Sequence, residues 1–146
     1  PAYGPEQRGG TANVTVIVSD EPISSPILSS YDTAIVLNQP SLDKFQPLVK
    51  PGGTLIYDSY GILDVPTRTD IQSYHTAAME TAANMKMMKC FNMFVLGGLL
   101  QLHPIVSLES VMKALKKTLP ERHHHLLPMN EEAIRKGMEI ISPLTR

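Results

Sequence analysis

A short run of uninterrupted apolar residues, Ala34-Ile35-Val36-Leu37, and a second run, Thr54-Leu55-Ile56-Tyr57, expected as the next buried strand, constrain the fold of this chain more than any other feature. A strand with one wet face alternates apolar and polar residues, whereas a continuous run suits a strand covered on both faces. The pattern therefore favours a parallel sheet sandwiched by helices. The first run lies between Asp32 and Asn38-Gln39-Pro40; the second follows a Lys50-Pro51-Gly52-Gly53 turn. Between them Ser41 is positioned to cap a short helix with Leu42 and Phe45 inward, which Pro47 limits to a turn or two. Strand, helix and strand make a crossover unit, right-handed in nearly all such cases. Further strands are expected over Thr11 to Ser19, β-branched and closed by Asp20-Glu21-Pro22, and over Ile71 to His75.

The second half reads as helical. From Met85 to Leu102 only Lys86, Lys89, Asn92 and Gln101 interrupt apolar residues, as in a helix buried around most of its circumference. Gly97-Gly98 inside it costs about 2 kcal/mol of helix propensity, a cost tolerated where another backbone approaches closely. Pro104 ends it. Ser107 then caps an amphipathic helix with Leu108, Val111, Met112, Leu115 and Leu119 on one face, and Asn130 is the expected cap of a last helix with Ile134, Met138 and Ile141 inward. Strands first and helices later define the fold class as α/β, and 146 residues suit one domain, 1–146.

Thirteen Lys+Arg against 14 Asp+Glu, with no basic cluster, argue against nucleic acid as a partner. Cys90 is the single cysteine, so this chain alone cannot hold an iron–sulfur cluster, which needs about four thiolates. The longest apolar stretch, Phe94 to Leu100, is far short of the roughly 20 residues that cross a bilayer, and no charged-then-apolar leader opens the chain. No membrane association is expected, and the chain reads as soluble and cytoplasmic.

Three places offer polar chemistry. The opening turn, with Glu6, Arg8 and Gly9-Gly10 ahead of an expected strand, can present a guanidinium and backbone N–H groups to an anion, or be a tight turn with a solvated charge pair. It is neither a P-loop nor a dinucleotide fingerprint, both of which need a strand before the glycines and a helix after them. Asn38, Gln39 and Asp58 follow two expected parallel strands and so fall at the carboxyl edge of the sheet, where α/β proteins bind ligands; Asn38 and Asp58 equally suit turn or helix caps. His123-His124-His125 lacks the i, i+4 spacing of two ligands on one helix face and is expected in a connecting loop. His75 and His103 lie at element ends without a partner in sequence, and Cys90, despite Lys86 and Lys89 nearby, reads as a core thiol.

The segments YGPEQRGGTAN (Tyr3 to Asn13), SDEPISSPIL (Ser19 to Leu28) and LNQPSLDKFQPLVKPGGTLIYDS (Leu37 to Ser59), in this order, resemble the gamma subunit of 2-oxoacid:ferredoxin oxidoreductases. The resemblance implies a Rossmann-like, mostly parallel sheet covered by helices. It also implies a non-autonomous part of an enzyme that oxidatively decarboxylates a 2-oxoacid to its acyl-CoA and reduces ferredoxin. Thiamine pyrophosphate, Mg and iron–sulfur clusters would then sit in alpha and beta partners, or in a ferredoxin-like delta component, with coenzyme A as co-substrate. This chain would hold no cofactor alone and contribute no catalytic residue. Glu6, Arg8, Gly9, Gly10, Asn13, Asn38, Gln39 and Asp58 become its candidate contacts to the coenzyme A and thiamine region. Arg8 to Asn13 looks more like 2-oxoglutarate-type than pyruvate-type gamma chains. Family gamma chains usually begin with a strand, a turn like G-x-G-G-Q-G and a helix ahead of the segment that here starts at Pro1, so a subunit of about 180 residues is expected. Two other readings are a purely structural interaction subunit and a free-standing Rossmann-like small-molecule binder.

Overall fold

The computed structural model of the chain describes residues 12–145. Four strands form one sheet in the order β1-β2-β3-β4: β1 Tyr31–Val36, β2 Val49–Asp58, β3 Gln72–Thr76 and β4 Ile141–Pro143. The first three run parallel and β4 is antiparallel to β3. Helices α1 (Gln39–Phe45), α2 (Ala78–Asn84), α3 (Phe91–Leu102), α4 (Leu108–Thr118) and α5 (Leu127–Ile140) complete the α/β domain.

The register places Ala34 and Val36 of β1 beside Leu55 and Tyr57 of β2. These residues form one core with Leu42, Val49 and Ile71, against which Phe45 packs. On the other sheet face Ile56 is fully buried, Thr54 is bonded to His103 after α3, and Asp58 to the start of α2. A second core under the helices gathers Ala78, Ala82, Met87, Cys90, Phe94, Val95 and Ala133. There α3 and α5 pack backbone to backbone: a Cβ at Gly97 would run into the Ile134 carbonyl oxygen, and one at Gly137 into that of Phe94. The close approach expected at Gly97-Gly98 is thus observed.

Several expectations are corrected. The strand expected over Thr11 to Ser19 is not formed: the described part, from residue 12, has no regular structure, and Val14, Val16 and Val18 are 81%, 77% and 69% exposed. β-branched residues favour strands through neighbours on the sheet, and no ladder partner is supplied to them among the described residues. Asn38, not Ser41, caps α1; its side-chain oxygen accepts the Ser41 N–H at 2.9 Å, and Pro40 fits the first turn because no intrahelical donor is needed there. Lys50 to Gly53 lies inside β2 as an irregularity, since the register jumps from Tyr31↔Val49 to Thr33↔Thr54.

The single helix expected over 85–102 is divided. Lys86 adopts φ 56, a left-handed conformation that ends α2, and a 3-10 turn at Met88–Cys90 leads into α3. Helix α5 starts at Leu127, ahead of Asn130, whose side chain instead donates to the Leu126 carbonyl at 2.8 Å. Ile141 opens β4 rather than continuing that helix. The three histidines lie in a 3-10 turn, Glu121–Leu126, in place of a plain loop. Ser107 caps α4 as expected, accepting the Ser110 N–H.

Candidate functional site at the carboxyl edge of the sheet

Val36 and Tyr57 are register partners, so the parallel strands β1 and β2 deliver Asn38 and Asp58 to the same edge of the sheet. Each is held by backbone groups. Asn38 caps α1 as described, which satisfies one orphan N–H of the helix start. Asp58 is 2% exposed; one carboxylate oxygen accepts the Tyr60 N–H at 2.9 Å and the other accepts the Met79 N–H at 3.0 Å, joining the loop after β2 to the first turn of α2. Ser59 is fixed by its N–H, which donates to the Thr76 carbonyl at 3.1 Å.

Gln39 does something different. Its side-chain oxygen accepts both the Leu63 and the Asp64 N–H, at 2.9 and 3.0 Å, while its amide donates to Asp43 at 2.8 Å. Farther along, Gln46 accepts the Thr67 N–H at 2.9 Å, and the Arg68 guanidinium donates to the Gln46 and Val49 carbonyls at 2.9 and 2.6 Å. The same guanidinium pairs with Asp70, and that hydrogen bond holds the Asp70 carboxyl below, and the Arg68 group above, their ordinary ranges. Gly61 sits so close to the Leu37 carbonyl that a Cβ there has no room. The connection from β2 to β3 is therefore a strap fastened across α1 and the end of β1. It leaves Tyr60, Leu63 and Val65 exposed, and a groove bounded by Ser59, Tyr60, Met79, Glu80 and Met88 opens beside it.

Of the candidates, Asn38, Gln39 and Asp58 are brought together at this edge. Asn13 is exposed in the irregular lead-in, and Glu6, Arg8, Gly9 and Gly10 lie outside the described residues. Sequence reasoning missed Arg68 and Gln46, whose bonds across the strap reach partners about twenty positions away and leave no local signal. The caps assigned to Asn38 and Asp58 as their plainer reading are what the geometry shows, and the strap adds a role for Gln39 that spacing did not suggest.

His103 shares a 2.9 Å hydrogen bond with Thr54, and His75 lies 6.2 Å, ring centre to ring centre, from Tyr57. Among the described residues no three His, Cys, Asp or Glu side chains gather as a metal site, and no helix is long and apolar enough to cross a membrane. Cys90 is 4% exposed, and burial pushes its thiol up. Because the unfolded thiol loses its proton more readily, stability should fall as pH rises past the ordinary thiol range of about 8.5. Cys90→Ala should flatten the decline in urea midpoint measured between roughly pH 8 and 10, and the native thiol should resist iodoacetamide that labels it in urea.

The fold and this edge define a Rossmann-like α/β domain with its polar groups at the carboxyl end of parallel strands. The family model for pyruvate ferredoxin/flavodoxin oxidoreductase matches residues 1–140, and the chain belongs to that family, as a gamma subunit of 2-oxoacid:ferredoxin oxidoreductases. The chain is 32% identical over 145 residues to the 2-oxoglutarate synthase subunit KorC of Methanocaldococcus jannaschii, covering 98% of this chain and 76% of that one. The gamma subunit of a keto/oxoacid ferredoxin oxidoreductase from Geobacter sulfurreducens superimposes with a TM-score of 0.71 at 28% identity, over 84% of this chain and 66% of its own. A 2-oxoglutarate:ferredoxin oxidoreductase from Magnetococcus marinus, solved with 2-oxoglutarate, coenzyme A and succinyl-CoA bound, matches with a TM-score of 0.66 at 25% identity, over 75% of this chain and 19% of that one. The chain spans only about a fifth of the longer relatives it matches.

Proposed function

We propose that this chain is the gamma component of a cytoplasmic complex that oxidatively decarboxylates a 2-oxoacid, 2-oxoglutarate in the first instance, to its acyl-CoA and passes the electrons to ferredoxin. The observation that carries this reading is the carboxyl edge of the sheet. Asn38, Gln39 and Asp58 rigidify it through backbone hydrogen bonds, and α/β sheets bind ligands at this edge. Glu6, Arg8, Gly9, Gly10 and Asn13 join it as the border of the coenzyme A and thiamine region. The 2-oxoglutarate assignment is supported by the names of the KorC relative and of the Magnetococcus marinus complex. The donor set of this chain, one buried thiol and no gathered metal ligands among the described residues, does not suit a cluster. In this reading iron–sulfur clusters, thiamine pyrophosphate and Mg are held by the alpha, beta and delta partners.

In this reading Arg8 supplies a bidentate guanidinium to a phosphate or carboxylate at the subunit border. Charge-assisted hydrogen bonds of this kind contribute about 1.5–3 kcal/mol. Arg8→Ala in the reconstituted complex should accordingly reduce kcat/KM for coenzyme A by roughly ten- to hundredfold, with an unchanged elution volume on size exclusion. Unchanged kinetics in a normally assembled complex would remove Arg8 from the site. Altered assembly with normal turnover of whatever complex forms would make the chain a packing subunit only.

A further inference from the structure

The strap between β2 and β3 turns its apolar residues in two directions. Ile62 packs on the core that holds Leu42 and Tyr57, and Pro66 is buried, whereas Leu63 is 89% exposed and Val65 59%. Tyr60, 77% exposed at the start of the strap, also bounds the groove that Met79, Glu80 and Met88 complete, so the outer side of the strap and the groove form one patch. The outward residues are held in place. Gln39 accepts the N–H of Leu63 and that of Asp64, Gln46 accepts that of Thr67, and Gly61 abuts the Leu37 backbone. Single exposed apolar residues are ordinary on a surface, but a cluster fixed outward by its own backbone marks a contact with another molecule. The fastening also removes the ordering cost that a loose loop incurs on binding.

We infer that this patch is the docking surface for another subunit of the complex, one that presents an apolar recess rimmed by Lys or Arg. Charge selects that occupant. The charged side chains of the patch are Asp64 and Glu80, and neither forms an ion pair among the described residues. Farther along the strap, Arg68 is turned to the Gln46 and Val49 carbonyls and paired with Asp70, and Lys86 and Lys89 do not line the groove. A basic rim therefore meets two carboxylates that have no cation of their own, while the recess removes Leu63 and Val65 from water.

The same charges count against the other occupants. A two-fold contact repeats its own residues, so a second copy bound through this patch would bring the carboxylates of both copies into one interface without a cation. Nucleic acid and an anionic lipid surface meet the same repulsion. The longer relatives supply the setting: the segment matched to this chain is about a fifth of one polypeptide in them, so a domain of this kind has other protein domains as neighbours. The inference rests on the proposal that this chain works within a complex, and adds to it the place and the chemistry of one contact.

The test uses the assembled complex. A photoactivatable benzoylphenylalanine replaces Leu63, and cross-linked peptides are identified by mass spectrometry. Hydroxyl-radical footprinting of the unsubstituted complex measures side-chain access at Tyr60, Leu63 and Met88 in parallel. The expected result is a cross-link to a peptide of a different subunit that carries Lys or Arg, with all three side chains oxidised far more slowly than in the urea-unfolded protein. Because Leu63 is 89% exposed, Leu63→Asp leaves the domain folded. It should nevertheless raise the dissociation constant of that subunit roughly tenfold or more. A cross-link to a second copy or only within the same polypeptide would overturn the inference, as would Tyr60 and Leu63 oxidised in the complex at their unfolded rates. So would a Leu63→Asp complex that dissociates like the native one. A chain isolated without any partner subunit removes the complex and the proposed function together, whereas a complex whose strap stays wet removes this inference alone.

Discussion

Gly137→Ala should lower the thermal midpoint of this protein by roughly 6–12 °C, taking a loss of about 3 kcal/mol and about 2–4 °C per kcal/mol for a domain of this size. The reason is the approach of α3 to α5. A Cβ on Gly137 points into the Phe94 carbonyl and lies 2.9 Å from the Phe94 Cα, and a Cβ on Gly97 faces Ile134 and, at 3.0 Å, Gly137 itself. Overpacking against a flexible side chain is relieved by a rotamer change, whereas here the obstacle is helix backbone on both sides. Relief requires the helices to separate, and that opens the core around Phe94 and Ala133, both fully buried. Gly97→Ala should do the same. Gly52→Ala is the contrasting case: nothing lies within 4 Å of the added Cβ, and only the left-handed φ of 78 is unfavourable, worth about 1 kcal/mol. Circular dichroism melts of the three variants check the ordering, and a Gly137→Ala midpoint equal to that of Gly52→Ala would exclude the backbone contact.

How far the sequence disclosed this structure depends on the range of the interactions involved. The apolar run Ala34 to Leu37 marked β1 because burial on both faces leaves a local signature, and Thr54 to Tyr57 after its glycine turn marked β2. Gly97-Gly98 marked a close approach for the same reason, but its partner Gly137 carried no mark of its own. The division of the 85–102 segment turned on one backbone angle at Lys86, a residue type whose composition gives no warning of φ 56. β4 was invisible, since three residues following a helix become a strand only through β3. Thr11 to Ser19 erred in the other direction: its β-branched composition is genuine, but strand formation needs a neighbour. At the site, Asn38 and Asp58 were legible as residues at strand ends, while the strap that Gln39, Gln46 and Arg68 fasten depended on contacts across some twenty positions.

Asp58→Ala should cost about 3 kcal/mol, the sum of two hydrogen bonds to a charged group at the low end of their range. Both carboxylate oxygens accept backbone N–H groups, from Tyr60 and Met79, and the side chain has almost no solvent to replace them. Removing it strands one donor in the first turn of α2 and another in the loop that carries Ser59 and Gly61. Asp58→Asn keeps one acceptor but turns its NH2 toward the second N–H, so about half the loss is expected. The pair of variants also separates positioning from ligand contact. If Asp58 acts by fixing the loop and α2, the Asn variant, assayed in the assembled complex well below its melting temperature, should retain most of kcat/KM for coenzyme A. If the carboxylate itself meets a ligand, that value should fall at least tenfold although the domain is folded. The geometry favours the first outcome, because a carboxylate that is 2% exposed, with each oxygen already accepting a backbone N–H, presents almost no surface to a ligand, and it makes Asp58 the positioning residue that ties together the β2 end, the strap and α2.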